Sequence, residues 1–260
     1  MAAVGRPTVT TNSQATGTSM NLAVAAGTNA LVIVKIVSRS TTDVIATPTR
    51  TGITFVQIDP PALAGRAQHR DRMYAAYGTW SAGNIVLGFS VSTVHAAMAI
   101  VFPDDSTHPT TPYSYLKYRN TNGDNGAGTG GVDANALDIT FSNTDVEQRM
   151  LVVASTRVRG LTTSPGDADY TREGAVSTGT GGNDQALTAE SRTKSPAGSD
   201  TWSSTAANSV AVDWITEAIL INPKPVPTSR LKRWNGSAWV VANLKRHNGS
   251  IWVPASLKKF

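Results

Sequence analysis

Carboxylates are the residues of this chain whose types and spacing most directly suggest chemistry. Asp104 and Asp105 are adjacent, Asp167 and Asp169 form a second close pair, and Asp124 lies in a polar run. Paired carboxylates can cleave glycosidic bonds or bind calcium. However, no EF-hand spacing is present, and turns recruit aspartate for their own backbone hydrogen bonds. We therefore interpret these aspartates as turn residues and expect neither catalysis nor a metal site.

A glycine-rich run and four histidines are the other candidates for chemistry. The run GAGTGG at residues 126–131 has the spacing of a dinucleotide-binding loop, but it follows NTNGDN rather than a strand and precedes no helix. His69, His95, His108 and His247 are scattered without a metal-ligand spacing. A serine-nucleophile motif of the G-x-S-x-G kind is also absent. The sequence therefore predicts a protein that is not an enzyme and needs no cofactor.

The composition favours a folded protein made of strands. Of its 260 residues, 40% are hydrophobic and 16% are charged, and Thr, Ser, Asn and Gly replace the missing charge, as in turns and exposed sheet faces. Cysteine is absent, which excludes disulfides and thiolate metal sites. No apolar signal core and no membrane-length apolar run is present. We expect an all-β protein that is made in the cytoplasm, without membrane insertion.

Residues 1–222 contain a succession of short β-like runs. NALVIVKIVS is almost continuously apolar and TGITFVQI alternates, whereas WITEAIL could be helical but is β-branched enough to favour a strand. The second half repeats the pattern of the first, since EQRMLVVASTRV corresponds to GTNALVIVKIVS. We predict a jelly-roll-like β-sandwich in which each half supplies strands to both sheets. The alternative is that unrelated strands look alike.

The end of the chain has a different organisation. Three prolines within INPKPVPT form a stiff connector, and we place a linker at residues 223–230. Beyond it, LKRWNGSAWVVAN is followed by LKRHNGSIWVPAS and then by LKKF. A thirteen-residue unit therefore occurs twice and is followed by the start of a third copy. We expect residues 231–260 to form a short C-terminal β-hairpin repeat stem.

Each repeat contains Asn-Gly, which favours a type I′ turn because both residues tolerate φ > 0. A two-residue loop places Trp234 opposite Ser237, whereas a three-residue loop with a bulge would shift this pairing. A lone hairpin that is apolar on both faces is unstable, so we expect copies from other chains to cover it in a homotrimer. The alternatives are that the repeats fold back onto their own sandwich or are disordered. The predicted turn residues are Asn235, Gly236, Asn248 and Gly249, and the predicted oligomerisation residues are Leu231, Trp234, Trp239, Val240, Leu244, Ile251, Trp252, Val253 and Leu257.

The unit LKRWNGSAWV resembles terminal repeats of tail-associated and fibre proteins of tailed bacteriophages, especially those that infect actinobacteria. AGTNALVIVKIVS, GITFVQI, RMYAAYGTWSAGNIVLGFS and AMAIVFP are similar to the lectin-like β-sandwich that precedes such repeats. The resemblance covers nearly the whole chain. It implies a virion structural protein, often called a minor tail protein, that contacts other virion proteins at the tail tip or in a fibre. A carbohydrate-binding adhesion module and a capsid decoration or head-fibre protein are the alternatives.

Charge is distributed unevenly along the chain. The net charge is +5, but residues 224–260 hold eight Lys and Arg and no acid, which leaves 15 basic against 18 acidic residues in the first 223. The first 223 residues, with this balance of charge, are not expected to bind nucleic acid. The basic pairs that begin at Lys232, Lys245 and Lys258 recur every thirteen residues. They could line up as ridges towards an anionic surface, or form only a solvated face.

A host-surface glycan is the remaining expected partner. Aromatic rings can stack on the apolar faces of sugars, and four aromatic residues lie in or beside loop-like stretches. Core packing is the alternative for each of them. The candidate glycan contacts are Tyr113, Tyr115, Tyr118 and Trp202.

Overall fold

The predicted all-β class is confirmed. A computed structural model describes residues 4–40, 42–58, 70–104, 113, 115–122, 138–143, 148–158, 166–179, 184–194, 198–203, 214–222, 232–234, 239–241, 245–247 and 252–254. Within these ranges the regular elements are all strands, and every strand pair is antiparallel. The described residues accordingly contain no helix long and apolar enough to cross a membrane.

The chain divides into two compact units, which we call the body (residues 2–224) and the tail (residues 225–260). The predicted linker at 223–230 lies outside the described residues. The first half of the body has β1 (Thr8–Gln14), β2 (Ser19–Val24), β3 (Gly27–Ser38), β4 (Val56–Gln57), β5 (Arg70–Trp80), β6 (Gly83–Gly88) and β7 (His95–Phe102). The second half has β8 (Tyr115–Asn122), β9 (Asp138–Asn143), β10 (Gln148–Val158), β11 (Thr171–Ser177), β12 (Asp184–Lys194), β13 (Gly198–Ser203) and β14 (Trp214–Ile221). WITEAIL is therefore a strand, as predicted.

The two halves of the body have the same pattern of strand pairing. In the first half a five-stranded sheet has the order β1-β7-β3-β5-β4, and β2 pairs with β6. In the second half the order is β8-β14-β10-β12-β11, and β9 pairs with β13. Each pair in the first half thus has a counterpart seven strands later in the chain.

Three hydrophobic clusters hold these sheets together. The inner core joins the two five-stranded sheets, with Ile33 and Met98 from one and Val153 and Ile219 from the other. The first outer core lies between the first five-stranded sheet and the β2–β6 pair. The second outer core lies between the second five-stranded sheet and the β9–β13 pair. The body is therefore a sandwich of two large sheets whose outer faces are partly covered by two-stranded sheets.

The central strand β3 shows why its sequence is almost continuously apolar. Leu31 and Ile33 belong to the inner core, whereas Val32 and Val34 belong to the first outer core. Successive side chains point to opposite faces of a strand, so a strand covered on both faces has no polar alternation. The run LVIV is the direct result of this double burial.

One expectation about the sandwich is wrong. Each half does not supply strands to both large sheets, because β1, β3, β4, β5 and β7 form one sheet and β8, β10, β11, β12 and β14 form the other. Among the described residues, the strands of each half therefore pair with strands of the same half. The second half repeats the pairing pattern of the first. Jelly-roll connectivity remains a prediction.

The tail contains two β-hairpins among its described residues. The strands are β15 (Lys232–Trp234), β16 (Trp239–Val241), β17 (Lys245–His247) and β18 (Trp252–Pro254). β15 pairs with β16 and β17 pairs with β18, each as a separate two-stranded sheet. The thirteen-residue repeat of the sequence is therefore a repeat of one hairpin.

Candidate functional site

The first tail hairpin places two predicted assembly residues directly opposite each other. Trp234 pairs with Trp239, and Arg233 pairs with Val240. Directly opposite aromatic residues are among the more favourable cross-strand pairs of a sheet. The backbone register of this hairpin therefore makes a tryptophan pair its central feature.

The second hairpin has the same register one repeat later. His247 pairs with Trp252, and Arg246 pairs with Val253. His247 thus takes the place that Trp234 has in the first hairpin. The predicted assembly and turn residues Leu231, Leu244, Ile251, Leu257, Asn235, Gly236, Asn248 and Gly249 lie outside the described residues.

The predicted pairing of Trp234 with Ser237 is wrong. Trp234 pairs with Trp239 instead, so four residues, 235–238, separate the two paired positions. An Asn-Gly signal fixes the register only where the loop has two residues. The residues between the strands lie outside the described part of the chain, so the type I′ turn stays a prediction.

The candidate glycan contacts are not grouped together on one surface. Trp202 is 1% exposed in the second outer core, where its Nε1 donates a hydrogen bond to Glu190 Oε2 at 2.9 Å. Tyr113 is also buried, and its hydroxyl donates to the carbonyl oxygen of Pro103 at 2.7 Å. Both are therefore core residues and present no free ring face to a sugar. Tyr115 is half-buried on β8, and Tyr118 lies on the same strand.

A buried charged cluster, which we call the lysine cluster, lies on the inner faces of the two large sheets. It consists of Lys35 on β3, Asp71 on β5 and Glu217 on β14. The Lys35 Nζ donates hydrogen bonds to Asp71 Oδ2 and to Glu217 Oε2. The three side chains are 0%, 2% and 5% exposed. Burying charges among apolar residues is costly unless they are paired, so each member depends on the others.

A second buried group, the histidine cluster, lies at the start of β7. His95 Nε2 is 2.9 Å from Asp43 Oδ2, and Ser38 Oγ donates to the same oxygen at 2.7 Å. The Ser90 hydroxyl and backbone N–H donate to Asp43 Oδ1 at 3.1 and 2.9 Å. The Phe89 ring stacks on His95, with ring centroids 3.6 Å apart.

The titration of this cluster is set by burial and by hydrogen bonds. Burial lowers the pKa of His95 below 6.5, and Asp43 and the Thr93 backbone oppose that effect without cancelling it. Burial raises the pKa of Asp43, but hydrogen bonds from Ser38, His95 and the Val91 backbone outweigh it, so this pKa lies below 3.8. At neutral pH, Asp43 is therefore an anion beside a neutral imidazole.

The histidine cluster holds the residue types of a serine-hydrolase triad but not its arrangement. The Ser38 hydroxyl donates to Asp43 rather than to His95, so no base faces a nucleophile. All three side chains are fully buried, which leaves no room for a substrate. The cluster ties β3, β7 and the segment around Asp43 together.

The second outer core contains two polar groups linked by strand β12. In the glutamate cluster, Glu190 accepts hydrogen bonds from Trp202 Nε1 and from the Asp167 backbone N–H, each at 2.9 Å, and from Arg172 at 3.3 Å. Gly166 approaches so closely that a Cβ there would meet Glu190 Oε1 at 2.6 Å. Glu190 therefore joins β11, β12, β13 and the segment before β11 at one carboxylate.

The neighbouring arginine cluster is arranged around Arg192. Its guanidinium donates to Asp200 Oδ2, lies 3.7 Å from Asp169 and sits 4.5 Å from the centre of the Tyr170 ring. Burial raises the pKa of Tyr170 far above its ordinary value, so the phenol is neutral and its ring can interact with the cation. In the described part of the chain, no group of three or more His, Cys, Asp and Glu residues is placed to hold a metal ion.

Sequence reasoning missed these buried clusters although two residues carried a signal. Lys35 interrupts the apolar run LVIVKIV, and Glu217 interrupts WITEAIL. A charge at a position where its neighbours predict burial indicates a hidden partner. The partners themselves could not be predicted, because Lys35 is separated from Asp71 by 36 residues and from Glu217 by 182.

No protein-family model, no curated protein and no solved structure matches this chain.

Proposed function

We propose that this chain is a non-enzymatic structural protein of a tailed-bacteriophage particle that assembles as a homotrimer through its tail hairpins. Its place would be that of a minor tail protein, at the tail tip or in a fibre, among other virion proteins. The observation that carries the assembly proposal is the repeated hairpin, in which Trp234 pairs with Trp239 and His247 pairs with Trp252 in the same register. The resemblance of LKRWNGSAWV to terminal repeats of phage tail proteins supports the location.

The physical argument for assembly is the small size of each hairpin. Every tail strand has three residues, and each hairpin is a two-stranded sheet of its own among the described residues. An isolated two-stranded hairpin is marginally stable at best in water. Within the part of the tail that the structure describes, its outer edges have no neighbouring strand, and such edges can pair with another chain. Copies of the same tail around a symmetry axis supply both the apolar cover and the pairing partners.

Two further features of the chain fit this role. Lys232 and Lys245 occupy the same register position in the two hairpins, so stacked repeats would align basic residues towards an anionic envelope or an acidic neighbour. Tyr115 and Tyr118 lie on β8, an edge strand of the second large sheet. They remain the proposed contacts to a host-surface glycan, since Tyr113 and Trp202 are buried.

Light scattering on the full chain and on a chain that ends at residue 229 tests the assembly. We expect three copies for the full chain and one folded copy for the shortened chain, because the tail supplies the contacts between chains. Equal numbers of copies in the two proteins would refute the proposal. Cryo-electron microscopy of particles that carry a labelled chain would then locate the protein on the tail or the head of the phage particle.

Valine in place of Gly236 and Gly249 tests the predicted hairpin turns. The two substitutions should impair assembly of the trimer, because β-branched residues resist the φ > 0 that an Asn-Gly turn requires. Full assembly of this variant, measured by light scattering, would argue against the type I′ turns.

A further inference from the structure

The lysine cluster has the composition and surroundings of a reactive site. Lys35 provides an amine, Asp71 a carboxyl group in direct contact with it, and Glu217 a second carboxyl group on the same amine. All three side chains are at least nine-tenths buried. An amine and a carboxylic acid can condense to an amide, and a neighbouring carboxylate can carry the proton that the reaction must move.

The strands hold these groups in a fixed arrangement. Lys35 pairs with Met73 on β5, and Asp71 lies two residues before Met73 on the same face, which makes Lys35 and Asp71 diagonal neighbours in one sheet. Glu217 comes from β14 in the opposite large sheet, where it pairs with Val153. Groups that are held in contact by rigid strands react as if they were extremely concentrated.

The apolar surroundings favour the neutral product. The strand faces that carry the cluster also form the inner core, whose members include Met73, Met98, Val153 and Ile219. As ions, one ammonium and two carboxylates would all be buried here. Desolvation makes such buried ions costly even when they are paired. An amide removes one amine and one carboxyl group from this balance and needs only ordinary hydrogen bonds.

We propose that the folded chain joins Lys35 to Asp71 through an intramolecular amide bond, with Glu217 as the proton carrier. Proton transfer within the cluster gives the neutral amine of Lys35 and the carboxylic acid of Asp71. The lone pair of Nζ attacks Cγ of Asp71, the Nζ–Cγ bond forms, and Glu217 accepts a proton from Nζ. Glu217 returns that proton to the departing oxygen, the Cγ–O bond breaks, and one water molecule leaves. No oxidant or cofactor is consumed, and Glu217 ends in the state in which it began.

Asp71 rather than Glu217 is the carboxyl group that forms the amide bond with Lys35. Lys35 and Asp71 are diagonal neighbours on paired strands of one sheet, whereas Glu217 reaches Lys35 from the opposite sheet. The Ser155 hydroxyl lies 3.5 Å from Asp71 Oδ2, the oxygen that contacts Lys35, so a further polar group lies beside the oxygen that leaves as water. After condensation, the new amide N–H still faces Glu217 and can donate a hydrogen bond to it. The bond would tie β3 to β5 in the centre of the sheet and stop the chain between them from extending under load.

The intact mass of the full chain, measured after denaturation, tests this reaction. We expect a mass lower than that of the sequence by one water molecule, and a proteolytic fragment in which peptides containing Lys35 and Asp71 are joined. A folded protein with the full sequence mass would overturn the proposal. A fragment that joins Lys35 to Glu217 would overturn the assignment of the two carboxyl roles.

Two variants and one control make the test independent of folding defects. Glu217→Gln keeps a balanced Lys35–Asp71 pair and nearly the same shape, so it should fold but retain the full sequence mass. Lys35→Arg keeps the positive charge but removes the primary amine, and it should also retain the full mass. Glu173→Gln alters a carboxylate that contacts Arg6 and Ser191 instead of a lysine, and it should still lose one water molecule. Water loss in the folded Glu217→Gln or Lys35→Arg protein would refute the mechanism.

Discussion

The two outer cores of the body are built on one strand plan and filled with different chemistry. In the first, Val32 on β3 pairs with Ala76 on β5, and the core around them is apolar. At the aligned place in the second, Val152 on β10 pairs with Glu190 on β12. Glu190 accepts hydrogen bonds from three different partners there. In the first core, Tyr74 and Trp80 donate only to backbone carbonyl oxygens. The same architecture therefore carries one core without a buried charge and one that depends on the partners of a carboxylate.

This difference shows that the same strand arrangement does not determine which interactions stabilise a core. Burial of apolar area is non-directional, so the first outer core tolerates exchanges that preserve volume. A polar core is stable only when each donor finds its acceptor, because an unpaired buried group costs more than a hydrogen bond contributes. We expect substitutions in the second outer core to be more damaging for the same change in volume.

Glu190→Ala should have the largest effect on the body. It leaves the Trp202 indole N–H and the Asp167 N–H without this acceptor and removes a partner of Arg172. Because Arg172 is 44% exposed, the main loss comes from the buried indole donor. A buried donor that loses its acceptor costs about 1–3 kcal/mol. The free energy of unfolding, measured by urea denaturation of the full chain, should fall by about this amount.

A matched pair of conservative variants serves as the control for that result. Leu87 on β6 and Trp202 on β13 occupy corresponding places in the two-stranded sheets, since Leu87 pairs with Met20 and Trp202 pairs with Ile139. Leu87→Ile should cost less than about 1.5 kcal/mol, since it changes shape but not volume. Trp202→Phe should cost more, because it also removes a donor from Glu190. Equal losses at the two positions would show that the outer cores do not differ in this way.

The histidine cluster is a polar exception beside the first outer core, and its effect should depend on pH. Because the pKa of His95 is lowered on folding, the unfolded chain binds this proton more readily than the folded chain. Stability should therefore fall as the pH drops below 6.5. Asp43, whose pKa is also lowered, adds a second loss below pH 3.8. The expected effect is smaller than that of Glu190→Ala and is measured by urea denaturation across this range.

Two histidine variants separate this effect from other titrations. His95→Gln should remove the loss of stability that begins below pH 6.5, because glutamine does not titrate. His247→Gln, in the tail hairpin, should leave that loss unchanged. If the decline near pH 6.5 persists in His95→Gln, another group is responsible for it.

Local patterns in the sequence predicted the strands better than their partners. The double burial of β3 was evident from LVIVKIV, and β14 from the β-branched residues of WITEAIL. The division into one large sheet per half was not, since it depends on which distant strands meet. The hairpin repeat was predicted, but its register was not, because an Asn-Gly signal fixes the register only where the loop has two residues. The lysine cluster was missed because its acids come from other strands.

The smallest predicted effect tests how much of the second outer core's polarity is needed. Thr216 on β14 pairs with Ala154 on β10, and its fully buried hydroxyl has no hydrogen-bond partner among the described residues. The aligned position on β7 is Ala99, within the apolar core of the first half. Thr216→Val keeps the shape and removes the hydroxyl, so the free energy of unfolding should stay within about 1 kcal/mol or rise. A larger loss would mean that this hydroxyl is hydrogen-bonded after all, and that the polar groups of this core act as one network rather than as two separate clusters.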